Sequence, residues 1–440
     1  MKKLHLVLLF LLLLTGCANS TPPPEEEITL LVETNFPDNF MSYYGAEFES
    51  THPHVKLQFV QPGQNGTEKP DIRYAGTISE YVELVKNGSL IPLDPYLEQT
   101  NTSPPNYAAE AAFRILRDHA NGLLHGISVE LQTLGLFYNV DLFDKYDVPY
   151  PQNRMTWAEV IELAQRFPTM DESGNALYGL SHNYYGPIPF LFLEKIAQKE
   201  GLYPLDEQLK VQVDTPEWEY IWETVIPAMK SGHLYLGDVT DVLADGHFLS
   251  GNVAMVVHYS DFAYQVSFVH QIHPDNLLKP INWNVVTAPV GSGHRNQTDD
   301  YTVWSIYGIS ADSEHKETAW DLLQSMLYSH YSSDDYGEID VERTGDRGTR
   351  MSINIHRKLH RTIAGRSLEP LFQLDYQSPN SRYDQIPYQI VDALREVGAR
   401  EVQAVLDGQK TIKEALQTLQ HDGQLAVDAA KLKLETEMEK

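Results

Sequence analysis

The sequence predicts an α/β protein with a helical C-terminal region, on three observations. Short strand patterns alternate with helical spacing through residues 28–330, capping and turn chemistry punctuates them, and roughly the last hundred residues read as mostly helical. Ile28-Thr29-Leu30-Leu31-Val32 is a short apolar strand. Met41, Tyr44 and Phe48 then recur at helical spacing, and Val55-Lys56-Leu57-Gln58-Phe59-Val60 alternates as a second strand. Strand, helix and strand with short links make a βαβ unit and therefore a parallel sheet. Residues 80–85 form a helix stopped by Gly88 at C′. Thr156-Trp157-Ala158-Glu159 is a capping box opening a helix that carries Val160, Ile161, Leu163, Ala164 and Phe167 on one face. Thr215-Pro216-Glu217 supplies a cap, a proline at N1 and an acid in the first turn. Thr411-Ile412-Lys413-Glu414 is a second box, leading into Ala415, Leu416 and Leu419. No internal repeat at a solenoid period is present.

The chain begins with Lys2 and Lys3 followed by a leucine-rich run over residues 4–14. That run is shorter than the roughly 20 apolar residues a bilayer span needs, so it reads as a signal peptide. Leu14-Thr15-Gly16-Cys17 looks like a bacterial lipobox, in which the cysteine is lipidated and becomes the new N-terminus. Cys17 is the only cysteine, so no disulfide can form within the chain. A lone thiol could otherwise be structural or nucleophilic; its place at the end of the apolar run favours lipidation. Residues 18–27, ANSTPPPEEE, have nothing to bury and read as an extended tether.

The formal charge of −28 becomes more negative once Lys2 and Lys3 leave with the signal. So acidic a surface argues against nucleic acid and against polybasic docking on anionic lipid. After residue 17 no apolar run reaches spanning length, which leaves the lipid as the membrane contact.

Several segments, in order, resemble the extracellular solute-binding proteins of ABC importers, in the sugar-binding group that includes maltodextrin-binding proteins. Ala46-Glu47-Phe48-Glu49 and His52-Pro53-His54-Val55-Lys56-Leu57 resemble the opening βαβ of that family. Pro70-Asp71-Ile72 and Gly88-Ser89-Leu90-Ile91-Pro92-Leu93-Asp94 match its "PDI … G-x-L-x-P-L-D" passage. The strongest likeness runs from Gly126-Ile127-Ser128-Val129 through Leu136-Phe137-Tyr138-Asn139-Val140-Asp141-Leu142-Phe143 to Met155-Thr156-Trp157-Ala158-Glu159. Ser250-Gly251-Asn252-Val253-Ala254-Met255 and Asp407-Gly408-Gln409-Lys410 with Glu414-Ala415-Leu416 complete it.

The resemblance implies a two-lobed, periplasmic-binding-protein-like fold of type II, with the ligand cleft between lobes that close by hinge motion. It implies an N-terminal lobe over residues 28–129 and 288–345, and a C-terminal lobe over 130–287 and 346–440. Crossings fall near residues 129–133, 286–289 and 345–352. The function implied is capture of a carbohydrate on the outer face of the cell membrane and its delivery to ABC permease subunits. The expected protein is a lipid-anchored monomer with no cofactor and no catalytic role. A sensor lipoprotein of the same fold and an extracellular carbohydrate-active enzyme are the alternatives.

A sugar offers apolar CH faces and many hydroxyls, so its site needs flat rings beside carboxylates, amides or arginines. With 25 tyrosines, 15 phenylalanines and 6 tryptophans, position in the fold must choose among the rings. Ligands in α/β sheets sit beyond the carboxyl ends of strands. That criterion selects Asn35 and Phe36 after the first strand and Tyr74 after Pro70-Asp71-Ile72. By resemblance Glu130 faces the sugar at the first crossing, or else is a solvated hinge acid. Tyr184 and Tyr185 follow the strand over residues 177–180, where the family brings an aromatic to the cleft. Tyr259 and Asp261 follow the strand over residues 254–257, in the loop that carries a stacking ring; Phe262 could equally supply it. Trp304 is either cleft-facing or a core tryptophan, and Trp157 packs. Arg343, Arg347 and Arg350 could meet an acidic group or simply neutralise an acidic surface, and Arg382 and Tyr383 are weaker candidates.

Other chemistry has little support. No Gly-rich phosphate loop, no G-x-S-x-G elbow and no H-E-x-x-H appears. His52 with His54, and His270 with His273, lack helical i, i+4 spacing for zinc. Asp171-Glu172-Ser173-Gly174-Asn175 faintly resembles a calcium loop, but Tyr178-Gly179 after it suits a hairpin turn better. A glycosidase needs two carboxylates about 5–10 Å apart across a cleft, and no glycosidase pattern is visible.

Overall fold

The structure, a computed structural model, describes residues 26–63, 69–104, 107–182, 189–235, 246–272, 279–328, 351–352, 362–378, 383 and 386–438. Its frame is a pair of sheets. Strands β1 (Ile28–Glu33), β2 (Val55–Val60), β3 (Ile72–Ala75) and β4 (Ile127–Gln132) begin the first, and β5 (Leu134–Asn139), β6 (Tyr178–His182), β7 (Leu234–Tyr235), β8 (Val253–Tyr259) and β9 (Trp283–Thr287) make the second. The chain then runs through β10 (Gln297–Thr298) back to the first sheet as β11 (Thr302–Ile309) and β12 (Met351–Ser352). The first sheet has the order β12-β4-β11-β3-β1-β2 and the second β7-β6-β8-β5-β9.

The opening βαβ forms as its pattern predicts. β1 and β2 pair in parallel from Ile28 opposite Val55 to Glu33 opposite Val60. The link is helical over residues 37–51, as α1 (Pro37–Phe40), a π-turn (Met41–Gly45) and α2 (Ala46–Thr51). The helix reaches further than residues 41–49 because Pro37 opens it without an amide to lose. Next come α3 (Ile78–Lys86), α4 (Asp94–Gln99) and α5 (Tyr107–Asp118) around the first sheet, and α6 (Val140–Lys145), α7 (Trp157–Ala164), α8 (Pro189–Lys199), α9 (Pro216–Lys230), α10 (Gly246–Leu249) and α11 (Phe262–Ile272) around the second. α12 (Lys316–Tyr328) returns to the first. Thr77 caps α3 and Gly88 follows it with φ +72°. Thr156 and Glu159 make both bonds of the capping box at α7. Thr215 accepts from the Trp218 amide with Pro216 at N1.

Two sheets give two cores. Val32, Ile72, Tyr81, Leu116 and Trp320 fill the first, and Phe143, Trp157, Leu180, Trp222 and Leu394 the second. Each large ring removed from water contributes about 1.5–3 kcal/mol, so each lobe carries its own stability. On the other face of the second sheet Phe137, Phe248, Phe262 and Trp283 form a smaller cluster with Leu368 and Leu371. The last helices, α13 (Tyr388–Leu406) and α14 (Ile412–Met438), pack as a hairpin onto α8 and α9. Glu194 of α8 is fully buried there. It is matched by a bidentate Arg395 at 2.7 and 2.9 Å and by the Tyr383 hydroxyl at 2.8 Å. Tyr383 is therefore part of this second-lobe core.

Three expected boundaries move. The return crossing, expected near residues 286–289, falls later, because Ala288 packs in the second core, Val290 bridges Thr156 and pairing in the first sheet resumes only at Thr302. Residues 130–132 still pair in the first sheet, opposite residues 302–304, because the β4–β11 ladder holds until the strand ends at Gln132. Met351 and Ser352 pair with Leu131 and Glu130, so the chain is still in the first sheet after residue 346.

β6 lies directly on the end of α7: a Cβ at Gly179 would fall 2.0 Å from the Ala164 carbonyl oxygen. Gly179→Ala must push strand and helix apart, and we expect a loss of about 1–3 kcal/mol in urea unfolding. An unchanged midpoint would mean that this contact has slack.

Candidate functional site

The facing edges of the two sheets meet where β4 gives way to β5. Thr133 alone separates them, and its carbonyl accepts the Ser260 amide at 2.8 Å. β5 and β8 are antiparallel with Leu134 opposite Tyr259, so the carboxyl ends of β4 and β8 adjoin at Thr133. Buried polar side chains stand at these ends: Glu33 and Thr34 at the end of β1, Gln132 and Thr133 at the end of β4, Ser181 and His182 on β6, Ser260 after β8 and Thr287 on β9. Apolar burial dominates elsewhere, so a row of buried polar groups at strand ends marks where a polar solute can be met. The Ser181 and Ser260 hydroxyls are buried with no hydrogen-bond partner among the described residues.

Ladder register assembles four of the candidate residues. Trp304 on β11 lies opposite Glu130 on β4, three residues before Thr133. Tyr259 ends β8 and Asp261 begins the turn into α11, where its carbonyl accepts the Tyr264 amide at 3.0 Å. Tyr259 and Trp304 are both half-buried, and Trp304 belongs to none of the three core clusters. The Ser128 hydroxyl donates to the Trp304 carbonyl at 2.7 Å. Beyond it Ser305 has φ +53°, a strained value for a serine inside a strand. The pairing with β3 begins just past this residue, at Ile306 opposite Ala75.

Phe36 is 39% exposed, and its amide donates to the Thr34 hydroxyl. Tyr74 lies inside β3 rather than in the loop after it, because the strand continues to Ala75. Its ring packs 5.2 Å from that of Tyr307, in the first core. Its amide and the Arg73 guanidinium both donate to the Glu33 carboxylate, at 3.1 and 2.8 Å. Phe262 is fully buried against Phe137, so it supplies packing and not a platform in the cleft. Trp157 packs edge-on to Phe192 as expected. The Asp171 carboxylate accepts the Ser173 and Asn175 amides of its own turn, which is the hairpin geometry. Cys17, Tyr184, Tyr185, Arg343, Arg347, Arg350 and Arg382 lie outside the described residues.

Sequence reasoning missed Tyr307, which touches Phe40, Tyr74 and the Thr34 hydroxyl at once. It also missed His182. His182 carried a signal, since it stands just past the strand over residues 177–180; Tyr307, toward the end of β11 away from Thr302, carried none. A cavity of about 270 Å³ lies beside the return crossing and is lined by Ile115, His119, Gln198, Lys199, Asp300 and Tyr376 among others. None of the candidate residues lines it.

A family model for bacterial extracellular solute-binding proteins matches residues 33–327. The chain belongs to that family. This solute-binding protein is 23% identical over 309 residues to the sn-glycerol-3-phosphate-binding periplasmic protein of Rhizobium meliloti (strain 1021). That match covers 67% of this chain and 66% of the relative, so it spans just under two thirds of that protein. A sugar transporter from Rhizobium etli in an open conformation shares the fold with TM-score 0.64, at 18% identity over 90% of this chain and 99% of the other. An ABC substrate-binding protein of Listeria monocytogenes in complex with cycloalternan does so with TM-score 0.58, at 18% identity over 90% and 98%. The solute-binding protein thus has the two-lobed, periplasmic-binding-protein-like fold, with its cleft between the lobes. Among the described residues no helix is long and apolar enough to cross a membrane.

The cleft edge of this solute-binding protein has an acid-sensitive residue. Burial, with His258 nearby, pulls the His182 imidazole down from 6.5 to about 3. Below pH 6.5 the unfolded chain takes up a proton that folded His182 refuses, so stability falls by about 1.4 kcal/mol per pH unit. Between pH 6.5 and 5 the residue should therefore cost about 2 kcal/mol. Urea unfolding of wild type and His182→Leu at both pH values tests this. The wild type should lose that much more than the variant, and equal losses would clear His182 as the cause.

Proposed function

We propose that this protein is a lipid-anchored receptor that captures a sugar or oligosaccharide outside the cell and delivers it to an ABC permease. The supporting observations are that Trp304 lies opposite Glu130 on the strands running into Thr133, that Tyr259 and Asp261 stand at the end of the strand adjoining it, and that both rings are half-buried. Rings cover the apolar CH faces of a sugar, and carboxylates accept from its paired hydroxyls. The family is consistent with this reading, as are the structural neighbours, one in complex with cycloalternan and one a sugar transporter. A phosphorylated polyol, suggested by the Rhizobium meliloti relative, fits less well beside Glu130 and Asp261, since a phosphate wants cations. No covalent step is needed; capture, closure and docking are the function. Phe36, Tyr74, Tyr184 and Tyr185 are proposed as further cleft residues. The lipobox at Cys17 gives the anchor, and the protein acts as a monomer.

A thermal-shift panel of mono- and oligosaccharides, with sn-glycerol 3-phosphate beside them, tests the ligand class. A sugar at a hundredfold excess over Kd should stabilise by about 2.7 kcal/mol and be recovered unchanged. Turnover of the sugar, or a shift with the phosphate alone, would sink the reading. Tyr259→Ala or Asp261→Ala should remove most of the shift, and full shifts in both would move the site away from this crossing. Separately, Cys17→Ala should release the protein from cells with its sugar binding intact.

A further inference from the structure

The return from the second lobe to the first is held by a chain of polar contacts that ends abruptly. Ser292 donates from its amide to both Glu200 carboxylate oxygens at 3.0 Å. Arg295 reaches Glu159 in a fork, with contacts of 3.0 and 2.9 Å. Gly291 passes so close to the end of α8 that a Cβ there would fall 1.9 Å from the Lys199 carbonyl oxygen. Lys199 itself, its side chain 9% exposed, pairs with both Asp299 and Asp300, the latter at 2.6 Å. Burial alone would disfavour the Lys199 charge, but the two carboxylates outweigh it and hold the ammonium above its ordinary range. Lys195 is the next cation near this pair, acting on Asp299 from the preceding turn of α8.

At the next residue the allegiance changes. Tyr301 is buried in the first core, and Thr302 is already paired with Gln132 in the first sheet. The same switch occurs on a neighbouring strand. Asp375 and Tyr376 pair in parallel with Gln297 and Thr298. Upstream, the Asn153 side chain of the second lobe donates to Gln373 at 3.0 Å. Downstream, the Tyr376 hydroxyl donates to Asp118 of α5 at 3.2 Å and its ring lies 5.4 Å from the Arg114 guanidinium. A ribbon with two paired residues per strand is too short to hold its own geometry, so these anchors define it.

We propose that Lys199 is the positioning residue of the hinge: it makes residues 291–300 a rigid part of the second lobe, so that bending of this crossing on closure is confined to Tyr301 and Thr302, beside Thr133 and Tyr376 of the neighbouring crossings. A buried charge between two carboxylates cannot be displaced by degrees, because either partner left alone is strongly disfavoured. The pivot is therefore a short line and the lobes close along one path. Without the charge the flexible crossing lengthens by about ten residues, and the lobes sample many angles. This inference rests on the two-lobed fold and not on the identity of the ligand.

Hydrogen exchange and inter-lobe distances, measured on the whole mature chain without ligand, test it. In wild type the amides of residues 292–300 should exchange slowly. Lys199→Met should speed them by about tenfold or more, while β5 and β8 stay protected. Spin labels at Glu83→Cys on α3 and Glu223→Cys on α9, in a Cys17→Ala background, should give a broader distance distribution in Lys199→Met. Lys199→Arg, which keeps the charge, should restore the narrow one. If Lys199→Met does not fold, Lys199→Met with Asp299→Asn and Asp300→Asn leaves no lone buried charge and should show the same loosening. Unchanged exchange and an unchanged distribution in the variant that folds would overturn the proposal. So would fast exchange of residues 292–300 in wild type.

Discussion

One residue of chain, Thr133, lies between the last ladder position of the first sheet and the first of the second. A link that short leaves the two sheets no choice but to bring their carboxyl ends together. The polar ends of β1, β4, β6, β8 and β9 then face the same gap, while apolar side chains fill the interiors of both lobes. The antiparallel ladder of β4 with β11 and that of β5 with β8 extend the junction on either side. The cleft is thus a product of connectivity before it is a product of any side chain.

Much of this architecture could be read from the chain. Strand alternation over Val55–Val60, the stop at Gly88 and the capping residues Thr156 and Thr215 acted locally, and their elements formed as the pattern required. The lobe boundaries were less legible, because the end of a strand depends on its partner. Residues 130–132 remain in the first sheet owing to β11, about 170 positions further along the chain, and no local pattern reports that pairing. The site was legible in outline only. Tyr259 and Asp261 could be placed by counting from the end of an apolar run. The surroundings of Tyr74 and Phe262 depend instead on distant partners, Tyr307 across the β3–β11 ladder and Phe137 on β5, which no local pattern reports.

The buried charges follow a consistent logic. Glu194 with Arg395 and Tyr383, and Lys199 with Asp299 and Asp300, both stand on α8, one turn apart. Buried ions of this kind add little net stability, yet they demand one geometry. The first set fixes the C-terminal hairpin to the second lobe, and the other fixes the returning chain. α8 is thus a common reference on which two distant parts of the sequence are aligned, which hydrophobic contacts alone, being non-directional, would do less strictly.

The positive φ of Ser305 has a consequence for how the cleft can change over time. A serine held there costs roughly 1–2 kcal/mol of backbone strain, and the ladders on both sides keep it in place. Glycine would relieve that strain, but it would also let the preceding segment swing and loosen the orientation of Trp304. At this one position thermal robustness and the rigidity of the proposed recognition surface pull in opposite directions. Variation toward glycine would favour a broader range of guests, and retention of a side chain a narrower one.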